Sequence, residues 1–468
     1  MPAVPVLPVE PDLRNQPVLP DRGDTLVALA TAPMPAGVAV LRLSGPNAWS
    51  IAKKLSGRAD LVHGQLHFCR LRDAAGRLLD RGYVVGFAAP RSFTGQDVAE
   101  LHVHGSLAVV ARIQDVCCEY GARPARAGEF TMRAVDHGKL DLVQAEALAD
   151  LIAVRSEAGR QAALAHLDGA LSKQLEALRQ PVLRLLAEVE ARLDFATEED
   201  VGVLDRTAAL QLLVGLQTEV QRLLSATASS RIRLRGARVA LYGAPNAGKS
   251  TLFNRLCGRD RALIDARPGT TRDVLEADGL LGDVLVTWVD TAGLRWTTDP
   301  VEAAGTQRAS AEAAEADVVL WLQDGSATAA ALAAPPARTG VVLAVRTKAD
   351  LAAEPTLADH EVWGTTLAVS AHTGAGLAVL QQQIQQAVQT LEQSGPAGAL
   401  LLRDRHVAGL QRAGAALVAA GTALQADWPL ELAAGDLREA AEALGEILGV
   451  LTPDDVLGAI FSQFCIGK

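Results

Sequence analysis

One stretch constrains this chain more than any other. Residues Gly243 to Ser250 read G-A-P-N-A-G-K-S and fit the pattern G-x-x-x-x-G-K-[ST] without a mismatch. Arg238 to Tyr242 reads as a short buried strand before it, and Ser250 to Leu256 as the first turns of a helix after it. That context has a physical purpose. Small residues let backbone N–H groups curl around a β-phosphate, and the helix N-terminus adds a positive dipole. Lys249 is placed to reach the β- and γ-phosphates, and the Ser250 hydroxyl is a magnesium ligand.

Three further motifs follow in the order a guanine-nucleotide domain requires. G-T-T-R-D spans Gly269 to Asp273, where a threonine hydroxyl can close over the γ-phosphate and complete the magnesium shell. D-T-A-G spans Asp290 to Gly293 after the strand 284–289; Asp290 suits magnesium through water, and the Gly293 N–H can sense the γ-phosphate. T-K-A-D spans Thr347 to Asp350 after the strand 340–345. The Asp350 carboxylate can accept from guanine N1–H and the exocyclic amine, a donor pair that adenine lacks. Ser370-Ala371 then offers a backbone contact to the guanine carbonyl. The set specifies GTP over ATP. Thr347 stands where the usual base loop has Asn; being shorter, it is expected to weaken the tie to the phosphate loop. Leu294 stands where many small GTPases place a water-orienting Gln, so hydrolysis needs another group.

At 468 residues the chain should hold roughly three domains. Its net charge of −10 argues against nucleic-acid binding by the whole surface, so any RNA contact needs a local patch. The five cysteines, Cys69, Cys117, Cys118, Cys257 and Cys465, form no C-x-x-C pair, which suggests neither a zinc site nor a disulfide framework and fits a reducing cytoplasm. No apolar run is long enough to cross a bilayer. Residues 1–22, with Pro2, Pro5, Pro8 and Pro11, read as a disordered extension and not a signal peptide.

Residues 23–138 read as an α+β domain. Strands are expected over 25–30, 37–43, 66–71, 82–88 and 98–103, with helices over 48–55 (capped by Asn47) and 107–120. His102 and His104 share a strand face, a possible metal pair without a third ligand at readable spacing. From Leu142 the pattern turns helical. Val182, Leu186, Val189 and Leu193 form one stripe; Leu410, Ala413, Leu417, Ala420 and Leu424 form another; Leu437, Ala441, Leu444, Leu448 and Leu451 form a third. The economical arrangement packs residues 139–230 with 394–468 as one bundle, the nucleotide domain 231–393 being inserted between them. Thr452-Pro-Asp-Asp455 reads as a helix start. Arg231, Arg233, Arg235 and Arg238 cluster before the first nucleotide-domain strand and read as a solvated linker face or a nucleic-acid contact.

With N-A-G-K-S, G-T-T-R-D and D-T-A-G-L-R in place, the chain resembles the MnmE (TrmE) family of tRNA-modification GTPases. Outside the nucleotide domain the resemblance is carried by S-F-T-G-x-D at Ser92 to Asp97, K-L-D-L-x-Q-A-E-A at Lys139 to Ala147, and the terminal F-C-I-G-K. It implies a multidomain α/β plus all-α architecture: an α+β folate-binding and dimerising N-terminal domain, a helical bundle, and an inserted Ras-like P-loop G domain. It implies a homodimer that forms a heterotetramer with an FAD- and NADH-using partner, MnmG (GidA). Together these modify the wobble uridine of certain tRNAs at carbon 5 (the carboxymethylaminomethyl or aminomethyl type), with a tetrahydrofolate derivative, 5-formyl or methylene, supplying the one-carbon unit. No membrane or DNA partner is implied. The alternative is a GTP-dependent ribosome-assembly or signalling switch, which has no use for folate.

Residue by residue, the resemblance assigns folate contacts to Arg42, Glu100, Lys139 and Lys468, and places Cys465 near the folate pocket with a role in catalysis. It assigns GTP contacts to Asn246, Ala247, Gly248, Lys249, Ser250, Thr251, Asp265, Ala266, Arg267, Pro268, Gly269, Thr270, Thr271, Asp290, Thr291, Ala292, Gly293, Thr347, Lys348, Ala349, Asp350, Ser370 and Ala371. Ser250 and Thr271 match magnesium ligands; Asn246, Asp265, Arg267 and Thr270 match the surroundings of a potassium ion. Glu302 matches a residue that acts on the attacking water through a second, bridging water.

Overall fold

The computed structural model describes residues 23–32, 34–154, 156–194, 202, 204–244, 246–258, 275–282, 284–290, 311–326, 340–351, 366–393, 402–450, 460 and 467. The chain divides into two compact units. One comprises residues 1–149, 172–179 and 441–468; the other comprises 150–171 and 180–440. The extension 1–22, the helix start at Thr452 and Leu451 lie outside the described residues.

The first unit is built on β1 (Thr25–Leu29), β2 (Ala36–Ser44), α1 (Ala48–Ser56), β3 (His67–Arg72), β4 (Leu78–Phe87), β5 (Val98–Gly105), α2 (Leu107–Glu119), β6 (Ala122–Pro124), α3 (Glu129–Asp136) and the start of α4 (Leu142–Ala153). The strands form one sheet, in the order β3-β4-β5-β2-β1-β6, antiparallel except where β1 meets β6. Alternation decides which side each residue takes. Leu41 and Leu43 of β2, Leu101 of β5 and Leu71 of β3 face Ile51 and Leu55 of α1 and Ile113 and Val116 of α2, all fully buried. On the opposite side Leu26 and Ala28 of β1 pack against Ala125 and Phe130 of α3.

The expected strands and helices of this unit are present, with shifted ends. β6 and α3 were not anticipated: β6 is too short to show a period, and α3 is buried nearly all round, so it has no polar stripe. Asn47 precedes α1, but its side chain makes no capping bond; its backbone N–H donates to Thr25 Oγ1 at 2.9 Å. Ile460 packs against Met132, Leu142 and Ala145.

The second unit holds the rest of α4, α5 (Glu157–Leu167), most of α6 (Ala170–Asp194), α7 (Arg206–Leu224), α8 (Thr227–Arg235), β7 (Ala237–Gly243), α9 (Lys249–Cys257), β8 (Leu275–Leu281), β9 (Val284–Asp290), β10 (Val318–Asp324), β11 (Val341–Thr347), β12 (Leu367–Ala368), α10 (Leu377–Gln393), α11 (Asp404–Gln425) and the first part of α12 (Leu430–Leu448). Its sheet runs β12-β11-β10-β7-β9-β8; only β8 is antiparallel to its neighbour.

The helices on either side of the nucleotide-binding sheet in sequence pack together. The stripe Leu410, Ala413, Leu417, Ala420 and Leu424 is buried. Each leucine in it contributes ~1.5–3 kcal/mol by leaving water. Gln217 of α7 donates to the Leu417 carbonyl at 3.0 Å, and Arg206 donates to the Leu424 carbonyl at 3.0 Å. Contrary to the expectation of no such run, α11 is long and apolar enough to cross a membrane by length and composition. Its apolar stripe is instead covered by protein. The arginine cluster is largely consumed internally: Arg233 donates to the Glu392 carbonyl, and Arg238 pairs with Glu276 and Glu312 at 3.0 Å each.

Candidate functional site

β7 ends at Gly243, and the glycine loop leads directly into α9. Three neighbouring strands end beside it. Parallel register sets Leu241 against Asp290 of β9, Gly243 against Leu322 of β10, and Asp324 against Thr347 of β11. The motif residues of four strands therefore meet at one carboxyl edge, where open parallel sheets bind ligands.

Asn246 (φ 63°) and Gly248 (φ 84°) both take left-handed backbone conformations, which curl the loop. The Ala247 N–H closes a turn onto the Ala244 carbonyl at 3.2 Å. Lys249 is buried, and its Nζ donates to the Gly243 and Ala244 carbonyls at 2.8 Å each. Burial holds its pKa below the ordinary lysine value, partly offset by the charge of buried Asp290. Ser250 and Thr251 are exposed at the helix start, and the Ser250 hydroxyl has no hydrogen-bond partner among the described residues.

Thr347 is the residue the sequence reading undervalued. Its buried Oγ1 lies 2.7 Å from the Ala247 carbonyl and 2.9 Å from the Gln323 carbonyl. A hydroxyl carries one proton and so donates to one carbonyl at a time. The tie that this shorter residue was expected to weaken is present as a direct bond from its loop to the phosphate loop. Lys348 (φ 53°) turns back to pair with Asp324 at 2.6 Å, and Ala349 N–H donates to the Val369 carbonyl at 3.2 Å. Asp350 is exposed; a hydrogen bond from the Ser370 side chain holds its carboxyl below the usual range, so it remains an acceptor. Ser370 N–H is taken by the Ala375 carbonyl at 3.0 Å, while Ala371 N–H has no partner among the described residues. Asp265, Ala266, Arg267, Pro268, Gly269, Thr270, Thr271, Thr291, Ala292, Gly293, Leu294, Glu302, Cys465 and Lys468 lie outside the described residues.

The first unit carries a second constellation. Arg42 of β2 and Glu100 of β5 are cross-strand partners, joined by Arg42 Nε and Nη2 to Glu100 Oε1 at 2.9 Å each. His102 Nε2 lies 3.4 Å from the other Glu100 oxygen. The bond to His102 and the adjacent Arg42 charge hold the Glu100 carboxyl below its ordinary value against the cost of burial. The Arg42 guanidinium lies 5.6 Å from the Phe93 ring centroid and 5.9 Å from that of Phe130.

Lys139 donates to the Pro90 carbonyl at 3.1 Å, which ties it to the loop bearing Phe93. In that loop Gly95 is at φ +78°, and a Cβ there would meet His137 at 2.7 Å. The buried Arg133 of α3 holds this loop to the sheet, donating to the Asp24 carbonyl at 3.0 Å, the Ser44 carbonyl at 3.2 Å and Gln96 Oε1 at 2.9 Å. Near the chain end, Gly467 (φ +93°) lies so close to β1 that a Cβ would stand 2.0 Å from the Leu29 carbonyl. Leu29 pairs with Leu41, one residue before Arg42.

Sequence reasoning missed Arg133, Phe93 and Phe130 as parts of this corner; the only signal was the S-F-T-G-Q-D motif. The two histidines keep a shared strand face but take different partners: His102 lies by Glu100 at 3.4 Å, and His104 bonds Asp80 at 2.8 Å. No group of metal-ligating side chains occurs among the described residues.

Comparison with known proteins places the whole chain in one family. Residues 25–139 match the family model for the GTP-binding protein TrmE N-terminus, and residues 142–465 match that for the MnmE helical domain. Curated proteins named tRNA modification GTPase MnmE are similar over nearly their whole length. The one from Pseudomonas aeruginosa (strain UCBPP-PA14) is 42% identical over 455 residues, 95% of this chain and 99% of that protein. Those from Rhodopseudomonas palustris (strain BisB5) and Synechococcus sp. (strain JA-2-3B'a(2-13)) are 42% identical over 463 and 457 residues, covering 95% of this chain and 99% and 98% of theirs. Among solved structures, the G domain of the T. maritima FeoB iron transporter aligns at 22% identity with a TM-score of 0.25, covering 33% of this chain and 99% of that one. Two family models that together span residues 25–465, and relatives 42% identical over 95% of its length, lead to one assignment: the chain belongs to the tRNA modification GTPase MnmE family.

Proposed function

We propose that this chain hydrolyses GTP and takes part in modification of the wobble uridine of tRNA at carbon 5. The observation that carries the reading is the bond from Thr347 to the Ala247 carbonyl, which couples the guanine-reading loop to the phosphate loop. Asp350 accepts the two guanine donors and Ala371 N–H meets the guanine carbonyl. Lys249 leaves its two carbonyl partners for the phosphates. The free Ser250 hydroxyl fits a magnesium ligand, with Thr271 as the second protein ligand. Magnesium when bound supplies positive charge against the phosphates.

Asn246, exposed in a left-handed turn, fits the edge of a potassium site completed by Asp265, Arg267 and Thr270. Such an ion supplies charge where Leu294 offers none. Glu302 positions the attacking water through a second one.

The corner of Arg42, Glu100 and Lys139 is the proposed folate site, with Lys468 as a further proposed contact. Its chemistry suits a pterin: Glu100 accepts ring N–H groups, while Phe93 and Phe130 offer apolar faces. A folate bound there brings a one-carbon unit. The function includes a homodimer, a complex with an FAD-dependent partner of the MnmG (GidA) kind, a cytoplasmic location, and Cys465 near the folate.

The test is nucleotide choice and salt. Purified chain turns over GTP and not ATP, and Asp350→Asn shifts preference to xanthosine triphosphate. Potassium accelerates turnover over sodium at equal ionic strength, except in Asn246→Ala. Glu302→Ala loses turnover but keeps GTP affinity. Unchanged GTP selectivity in Asp350→Asn refutes the base-reading assignment.

A further inference from the structure

β3 is an edge strand whose residues alternate sides. His67, Cys69 and Leu71 are buried, while Phe68, Arg70 and Arg72 are exposed. Register places Phe68 opposite Tyr83 and Arg70 opposite Arg81. Like charges directly opposite on a sheet destabilise it. Yet neither the Arg70 nor the Arg81 side chain has a hydrogen bond or ion pair among the described residues. The arrangement is therefore costly for folding and has no internal counterion, in a chain of net charge −10. The aromatic pair beside it is also open: Phe68 is 62% and Tyr83 45% exposed, their ring centroids 5.5 Å apart and edge-on.

Round the strand edge lies a cavity of about 490 Å³ lined by Lys54, Arg58, Arg70 and Arg72 among others. Its single carboxylate, Asp73, is already held by Arg77 at 2.8 Å and Arg112 at 3.7 Å. Arg58 pairs with the exposed Asp60 at 3.3 Å, and its Nε is buried without a partner. Exposed aromatics interleaved with arginines that lack a counterion, here Arg70 and Arg81, are the pattern that grips single-stranded nucleic acid, rings taking bases and guanidinium groups taking phosphates.

We infer that the exposed β3–β4 face and its adjoining basic cavity bind RNA, with Arg70, Arg81 and the cavity cations on backbone phosphates and Phe68 and Tyr83 stacking unpaired bases. The choice of RNA over another polyanion rests on the proposed tRNA substrate. A second copy of this chain fits the face poorly, because a twofold contact there would set arginine against arginine.

The test uses the full chain and a fluorescein-labelled anticodon stem-loop RNA, with anisotropy titrations over a salt series. The double variant Arg70→Ala/Arg81→Ala should weaken binding roughly tenfold or more and flatten the salt slope by about one to two. Arg70→Lys/Arg81→Lys should keep the slope. Phe68→Ala should weaken binding by about fivefold or more with the slope unchanged. GTP turnover and sedimentation, read on the same samples, should stay as in wild type. Wild-type affinity and slope in the double alanine variant overturn the inference. So does a changed association state with RNA affinity intact, which would make this face an interface between copies. A wild-type chain that hydrolyses GTP but binds no stem-loop overturns this inference alone. One that binds RNA through these residues but turns over no GTP overturns the proposed GTPase instead.

Discussion

Thr347→Val removes one hydroxyl at nearly constant volume. The site is buried, and the lost proton serves carbonyls at 2.7 Å (Ala247) and 2.9 Å (Gln323). A buried acceptor that loses its donor costs ~1–3 kcal/mol. Ala247 belongs to the loop that wraps the phosphates, so part of that cost falls on ordering the loop when nucleotide binds. If half or more appears in binding, GTP affinity falls roughly tenfold, since 1.4 kcal/mol is a factor of ten. The assay is titration with a fluorescent GTP analogue, alongside thermal denaturation. Thr347→Ser keeps the hydroxyl and should bind within about twofold of wild type by the same arithmetic. A Thr347→Val protein that loses stability but binds GTP like wild type would show that the bond props the fold and does not organise the site.

Other outcomes follow from the same geometry. His166 is buried and its pKa is pushed down to about 4 by desolvation and by the nearby His406. The unfolded chain, titrating at 6.5, then binds more protons between these values, so stability is fully present above 6.5 and is lost as pH falls toward 4. Full loss is about 3 kcal/mol, and urea midpoints should fall less steeply with acid in His166→Gln; an unchanged slope refutes this. Glu100→Ala strips Arg42 of its partner and should weaken binding of a 5-formyl folate, read by titration, while GTP turnover persists. Gly467→Ala puts a Cβ 2.0 Å from the Leu29 carbonyl, so it should lift the tail from β1 and weaken folate binding without touching GTP affinity.

Local periodicity made much of this fold legible. The stripe on α11 showed its buried face directly, and the strand expected over 66–71 is present as β3 with each end shifted by one residue. The phosphate loop was readable because its backbone demands specific residues at fixed spacing. Contacts between distant residues were not. Nothing local says that the Thr347 hydroxyl reaches Ala247, or that Arg133 ties three segments across the sheet. α3 was invisible because a short helix buried nearly all round has no polar stripe, and Asn47 was misread because Thr25 engages its backbone instead.

The central claim is that this chain serves wobble-uridine modification through GTP. Its most direct test is mass spectrometry of tRNA nucleosides from a strain lacking the protein, complemented with wild type or with Lys249→Ala. The account predicts that the carbon-5 modification disappears in the deletion, returns with wild type, and does not return with Lys249→Ala. Full modification in the deletion strain, or full rescue by Lys249→Ala, would contradict it.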